Sequence, residues 1–286
     1  MIATDRKQMA RSLLRRRRRV DIVLRSLCLC ATVIALLLLA SILTMLIWKG
    51  LPALNSTVFT TITLPTGSNG GLLNAITGSL VQVIFATMVG TPIGLLVGTY
   101  LSEYADGSRL GDAVRFISDV LLSAPSILIG LFVYQLAVVP FGGFSGWAGI
   151  CALAIIVIPI VIRTTEDMLR LQPTTLREAV IALGAPKWKM TVLICWRAAR
   201  VGITTGALLA VARIAGETAP LLFTSLGNNG WNLDLSQPYS SLPVTIYAYA
   251  GSPYQDWIAL AWAGALIVTF GVLGLNILAR ALTRQR

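Results

Sequence analysis

The sequence predicts an all-α integral membrane protein of six transmembrane helices, and three observations carry that prediction. The chain of 286 residues is 56% apolar and only 12% charged, with a mean hydropathy of +0.77. A soluble domain of this length carries roughly a quarter charged residues. Six runs are apolar over about the ~20 residues that cross a hydrocarbon core. Lysine and arginine are concentrated at the termini and in alternate loops, as an even number of spans with both ends on one side requires.

The first run, about 26–48, follows a basic stretch that includes Arg15–Arg19. A secretory signal has an apolar core of only ~7–15 residues and a small-residue cleavage pattern. This run is longer and lacks that pattern, so it reads as a retained anchor. The basic stretch then reads as an orientation signal that also meets anionic membrane lipid, and no nucleic-acid partner is expected. The domain plan is a basic cytoplasmic segment over 1–25, a six-helix membrane domain over 26–280 and a cytoplasmic tail over 281–286.

The second run, 74–101, places Gly90, Gly94 and Gly98 at intervals of four, a stripe for close helix packing with a neighbouring chain as candidate partner. The third, 116–139, is interrupted by Ser123, Pro125 and Ser126. Those two serines either line a path or merely loosen the helix. Asp119 is expected to pair with Arg115 at i−4. The fourth run, 147–162, is short. The fifth, 192–223, is long, and the sixth covers 257–279.

Eight basic residues precede position 20, and others cluster at 109–115, 163–200 and 280–286. The loops 49–73, 140–146 and 224–256 hold only Lys49 among them. Both termini are therefore expected in the cytoplasm of a multi-pass protein of the cell (inner or plasma) membrane. Trp48, Trp147 and Trp257 then fall at the outer interface. The loop 227–256 either contacts an external protein or closes the outer mouth.

Several chemistries find no residues. There is no histidine. Cys28, Cys30, Cys151 and Cys195 lie in or beside apolar runs without Cys-x-x-Cys spacing, so no metal site is expected. No G-x-x-x-x-G-K-[ST] motif is present, so the chain reads as non-catalytic and binds no cofactor of its own.

Two features do point to a task. The fifth run holds Arg213 and Glu217 at i, i+4, and each charge within a span costs ~2.5–3.5 kcal/mol or more. They form either a neutralised structural pair or part of a translocation path. A guanidinium fork matches an oxyanion, and a neighbouring carboxylate tempers its hold so that the anion is released. The small polar segment that includes Thr218 suits a cavity wall or a close helix contact. The second feature is the cytoplasmic loop 163–190. Pro173 and Thr174 start a helix there, Leu176, Val180 and Leu183 give it one apolar face, and Gly184 and Pro186 end it.

Glu178-Ala179-Val180, then Gly184 and Ile194 ten residues further on, resembles the EAA loop of ABC importer permeases. Val180 and Trp196-Arg197 depart from that pattern. The likeness extends from about Gly70 to Arg280. It includes Gly90-Thr-Pro-Ile-Gly94, Tyr100-Leu-Ser-Glu-Tyr104, Arg115 through Ser126, Pro159 through Glu166, and Ala212 through Thr224. In these segments the chain is similar to the A-type permease subunits (PstA) of phosphate-specific ABC importers. The resemblance implies a type I ABC importer permease-like bundle. It also implies a second homologous permease subunit, a cytosolic ATPase dimer carrying ATP and Mg, and an exported phosphate-binding protein as partners. It assigns the ATPase contact to the segment Leu176, Arg177, Glu178, Ala179, Gly184 and Lys187. Another oxyanion or small solute of the same importer class, or a secondary transporter, stands as the alternative. A secondary transporter calls for inverted repeats and midplane carboxylates, of which only Glu217 is a candidate.

Overall fold

The computed structural model describes residues 2–284, with side chains over 17–278 apart from Arg19, and Ala281. Of the basic run, the side chains of Arg15, Arg16 and Arg19 fall outside the described residues, as do residues 285–286 of the tail. Every regular element among the described residues is helical. In chain order these are α1 (Ile2–Gly50), α2 (Ser56–Thr60), α3 (Leu73–Glu103), α4 (Arg109–Ser123), α5 (Ser126–Val133) and α6 (Gly146–Arg170). There follow α7 (Thr174–Ala182), α8 (Lys187–Lys189), α9 (Trp196–Ile214), α10 (Ala219–Thr224), α11 (Leu242–Ala250) and α12 (Gln255–Arg284).

Five segments are long and apolar enough to cross a membrane: Val20–Gly50, Leu73–Glu103, Gly146–Arg170, Lys187–Ile214 and Gln255–Leu278. The predicted third span is broken. α4 and the segment Ser126–Val138 meet at an angle of 107° across Ala124-Pro125. Proline excludes α geometry from the residue before it, and Ala124 is accordingly extended (φ −67°, ψ 137°).

The chain divides into two compact units, Met1–Lys49 and Gly50–Arg286. In the first, α1 runs unbroken through the basic stretch, and leucines such as Leu29, Leu37 and Leu39 are exposed as on a lipid-facing span.

In the second unit the core forms where α3 lies against α6. A Cβ on Gly94 would stand 2.6 Å from Val161 Cβ, and one on Gly90 would stand 2.9 Å from Val157 Cγ1. The glycine stripe thus packs on α6 of its own chain rather than on a neighbouring subunit. Helix α6 is the most enclosed element, with Leu153, Val157 and Val161 fully buried against Ala86, Ala210 and Leu221. It also outruns the short fourth span, continuing to Arg170. Arg163–Asp167 (3.6 Å) and Arg170–Glu166 (3.0 Å), both at i, i+4, support that extension.

Residues 224–256 are not a free loop. The Asn74 amide donates to Asn228 O at 2.9 Å and the Thr63 hydroxyl to Asn229 O at 2.8 Å. The Trp257 ring stacks on Tyr249 at 4.6 Å. Burial raises the phenols of Tyr239 and Tyr249 within this segment above their ordinary value, so both stay neutral.

Candidate translocation and coupling sites

The predicted fifth span is also interrupted, at its charged pair. Helix α9 ends at Ile214, four residues follow without regular helix, and α10 begins at Ala219. Pro220 at the second position of α10 lacks the N–H that a continuous helix would need, which favours a restart there. Despite the break Arg213 Nε and Glu217 Oε1 lie 3.7 Å apart. That separation exceeds good hydrogen-bond length. The Arg213 side chain is 44% exposed and that of Glu217 16%. A Cβ on Gly216 would meet nothing within 4 Å, so open space adjoins the pair. A guanidinium beside open space and only partly neutralised can receive an anion, and irregular backbone at membrane depth is tolerated where it lines a cavity. Thr218 closes the irregular segment and is half-buried.

The two interrupted spans pack on each other. A Cβ on Gly130 of α5 would stand 2.7 Å from Pro220 Cα of α10, so only glycine permits this approach. Ser123 ends α4 and is exposed, its hydroxyl donating to Val120 O at 3.0 Å. Ser126 begins α5 and is half-buried. Both flank the bend. Asp119 does not pair with Arg115 as expected; it lies 3.8 Å from Arg163. Arg115 points instead to the end of the core pair. Its Nε donates to Glu166 Oε1 at 2.7 Å, its Nη2 to Leu101 O at 2.9 Å, and its Nη1 to Asp112 at 3.0 Å.

The loop 163–190 forms the expected short helix. α7 spans Thr174–Ala182, Leu183 caps it, and Gly184 adopts φ +77°. Its apolar face differs from the predicted one. Val180 packs on the cluster of Leu169, Met190, Cys195, Ala199 and Ile203, and Leu176 is half-buried. Leu183 instead points outward at 87% exposure, because the αL turn at Gly184 ends the helix before its side chain reaches that cluster. Glu178, Ala179, Ile181, Ala182 and Leu183 are exposed, giving α7 an outward surface of small and apolar groups around one carboxylate. Lys187 Nζ sits 4.6 Å over the Tyr104 ring.

Arg177 does not join Glu178 outside. Its Nη2 donates to Glu103 Oε1 at 2.7 Å and to Leu169 O at 2.8 Å. Sequence reasoning passed over Glu103 and Glu166, whose side chains are only 3% and 2% exposed. The available signal was a carboxylate at the end of an apolar run on the arginine-rich side, which demands a cationic partner if it is buried.

Residues 90–286 match the family described as "Binding-protein-dependent transport system inner membrane component". The chain is similar to "Phosphate transport system permease protein PstA" of Pasteurella multocida, 54% identical over 86% of this chain and 88% of that one. The Haemophilus influenzae protein of the same name is 55% identical over 87% of this chain and 89% of that one. PstA 1 of Mycobacterium tuberculosis is 39% identical over 78% and 75%. In fold, it is similar to a chain of the inward-facing MetNI methionine ABC transporter, with TM-score 0.62, 20% identity and coverage of 75% of this chain and 95% of that one. The all-helical bundle and these sequence matches agree, and the chain belongs to the binding-protein-dependent inner membrane components, within the PstA family.

Proposed function

We propose that this chain is the transmembrane permease subunit of an ATP-driven phosphate importer, forming half of the translocation path and coupling to a cytosolic ATPase. The observation that carries the site is the partly neutralised Arg213 beside open space at the break between α9 and α10. Arg213 attracts the anion, Glu217 moderates the hold so that it is released, and Thr218, Ser123 and Ser126 supply polar groups near the two breaks. Both termini lie in the cytoplasm, in keeping with the distribution of lysine and arginine. The outward surface of α7 meets a cytosolic ATPase dimer as a helix in a groove. A second homologous permease completes the path and an exported phosphate-binding protein delivers the anion. The chain is itself non-catalytic, and ATP and Mg are bound by the ATPase. The test is phosphate uptake by the assembled complex carrying Arg213→Gln. A charge-assisted hydrogen bond contributes about 1.5–3 kcal/mol, so uptake at limiting phosphate falls roughly tenfold to a hundredfold. Unchanged uptake by a correctly assembled variant refutes the role of Arg213.

A further inference from the structure

Two arginines that are remote in sequence perform the same act at the same place. Each comes from outside the α3–α6 pair and bonds to both of its members. Arg115 of α4 donates to Leu101 O at the end of α3 and to Glu166 of α6. Arg177 of α7 donates to Glu103 at the end of α3 and to Leu169 O of α6. Both acidic side chains are almost wholly enclosed, and both arginine side chains are mostly so, at 17% and 21% exposure. Both bonds of Arg177 are made by its Nη2, and Arg177 Nε is buried with no hydrogen-bond partner among the described residues.

Further contacts surround the Arg177–Glu103 pair. The Trp196 indole at the start of α9 donates to the Thr99 hydroxyl at 3.1 Å, one turn before Glu103. Val180 of α7 packs on the cluster built from Leu169, Met190, Cys195 and Ala199. Helix α7 is therefore not a tethered loop resting on the bundle. It is bonded to α3 and α6, packed on α9, and through α3 and α6 connected to α4, which leads into the bend at Ser123 and Ser126.

We propose that the Arg177–Glu103 pair is the link that transmits displacement of α7 into the α3–α6 pair, and that Arg177 is a positioning residue within the chain rather than a contact for the ATPase. This rests on reading α7 as the ATPase contact. A buried charge-assisted bond holds its partners at a defined distance, and the second bond of the same Nη2 to Leu169 O ties α7 to both helices, whereas apolar contacts such as that of Val180 allow sliding. Without the pair the ATPase still binds the outward surface of α7 and still hydrolyses ATP, but α7 moves over the bundle instead of with it.

The experiment uses the complete importer in liposomes, with the phosphate-binding protein, and measures phosphate transported per ATP hydrolysed. A Leu183→Asp arm tests the underlying reading separately, because that reading fails if this variant recovers the ATPase as wild type does. Arg177→Gln and Glu103→Gln are each expected to co-purify with the ATPase, to keep hydrolysing ATP, and to lower the transport ratio about tenfold. The reversed pair, Arg177→Glu with Glu103→Arg, regains a substantial part of it. A purely structural role would lower assembled complex and both activities together, leaving the ratio unmoved. An unchanged ratio in the single variants, or a reversed pair no better than they are, overturns the proposal. If the single variants do not assemble, the reversed pair decides: assembly with coupled uptake supports the link, and failure overturns it.

Discussion

Arg115 and Glu166, 51 residues apart, meet through an Nε–Oε1 hydrogen bond of 2.7 Å, and this contact ties the middle of α4 to α6. Arg170 approaches the same carboxylate oxygen at 3.0 Å, so one buried acid balances two arginines.

Removing that acid leaves two cationic groups facing an enclosed position without compensation. Breaking a buried pair from one side costs about 3–5 kcal/mol. Glu166→Gln is therefore expected to lower the thermal midpoint of the detergent-solubilised protein and the yield of assembled complex. Asp119→Asn is the control. Its pairing with Arg163 is long and exposed on both sides, so the midpoint stays within experimental error.

The glycine stripe makes a second, sterically defined prediction. A valine at position 94 would bring its Cβ to 2.6 Å from Val161 Cβ on a helix that is itself enclosed. Overpacking of this kind costs about 1–3 kcal/mol. Gly94→Val should lower the unfolding midpoint, whereas Gly271→Ala, where a Cβ meets nothing within 4 Å, should leave it unchanged or slightly raised.

These two positions also mark how much of the molecule was legible in the sequence. Membrane runs are governed by transfer free energy summed over many residues, so α3, α6 and α12 were readable to within a few positions at most ends. Gly184 and Pro186 act locally, so the end of α7 was readable as well. The breaks were harder, because Pro125 and Pro220 have the same composition signature whether they bend a helix slightly or interrupt it. Hardest were the pairings. Arg115 had Asp119 at helical spacing, and nothing local indicated that its guanidinium turns to a carboxylate on α6. Likewise Gly90, Gly94 and Gly98 announced a close packing surface without saying whose helix fills it.

A third prediction follows from the backbone at Gly184. Its φ of +77° lies in the left-handed region, and the turn there directs the chain from α7 into α8. A branched side chain in that region is strained by roughly 1–2 kcal/mol. Gly184→Val is expected to fray the end of α7, which is visible as faster hydrogen exchange at Ala182 and Leu183. Co-purification with the ATPase should weaken in parallel, with exchange in α6 unaffected.

The outward surface of α7 yields the last prediction, and it separates docking from transmission. Leu183 is 87% exposed, and Ile181 and Trp188 are more than half exposed. Leu183 makes no contribution to the cluster around Met190, so a polar replacement there costs the permease little, within about 0.5 kcal/mol for a surface site. In a helix-in-groove interface the same side chain is an apolar anchor, and truncating or charging an anchor costs about 2 kcal/mol or more. Leu183→Asp should therefore leave the thermal midpoint of the isolated permease unchanged while reducing recovery of the ATPase on co-purification by roughly tenfold or more. ATP hydrolysis and transport then fall together, because the motor is absent from the complex. That pattern is the opposite of the one expected for Arg177→Gln, where the motor stays bound and only the transport ratio drops. Normal ATPase recovery with Leu183→Asp would move the docking surface away from the end of α7.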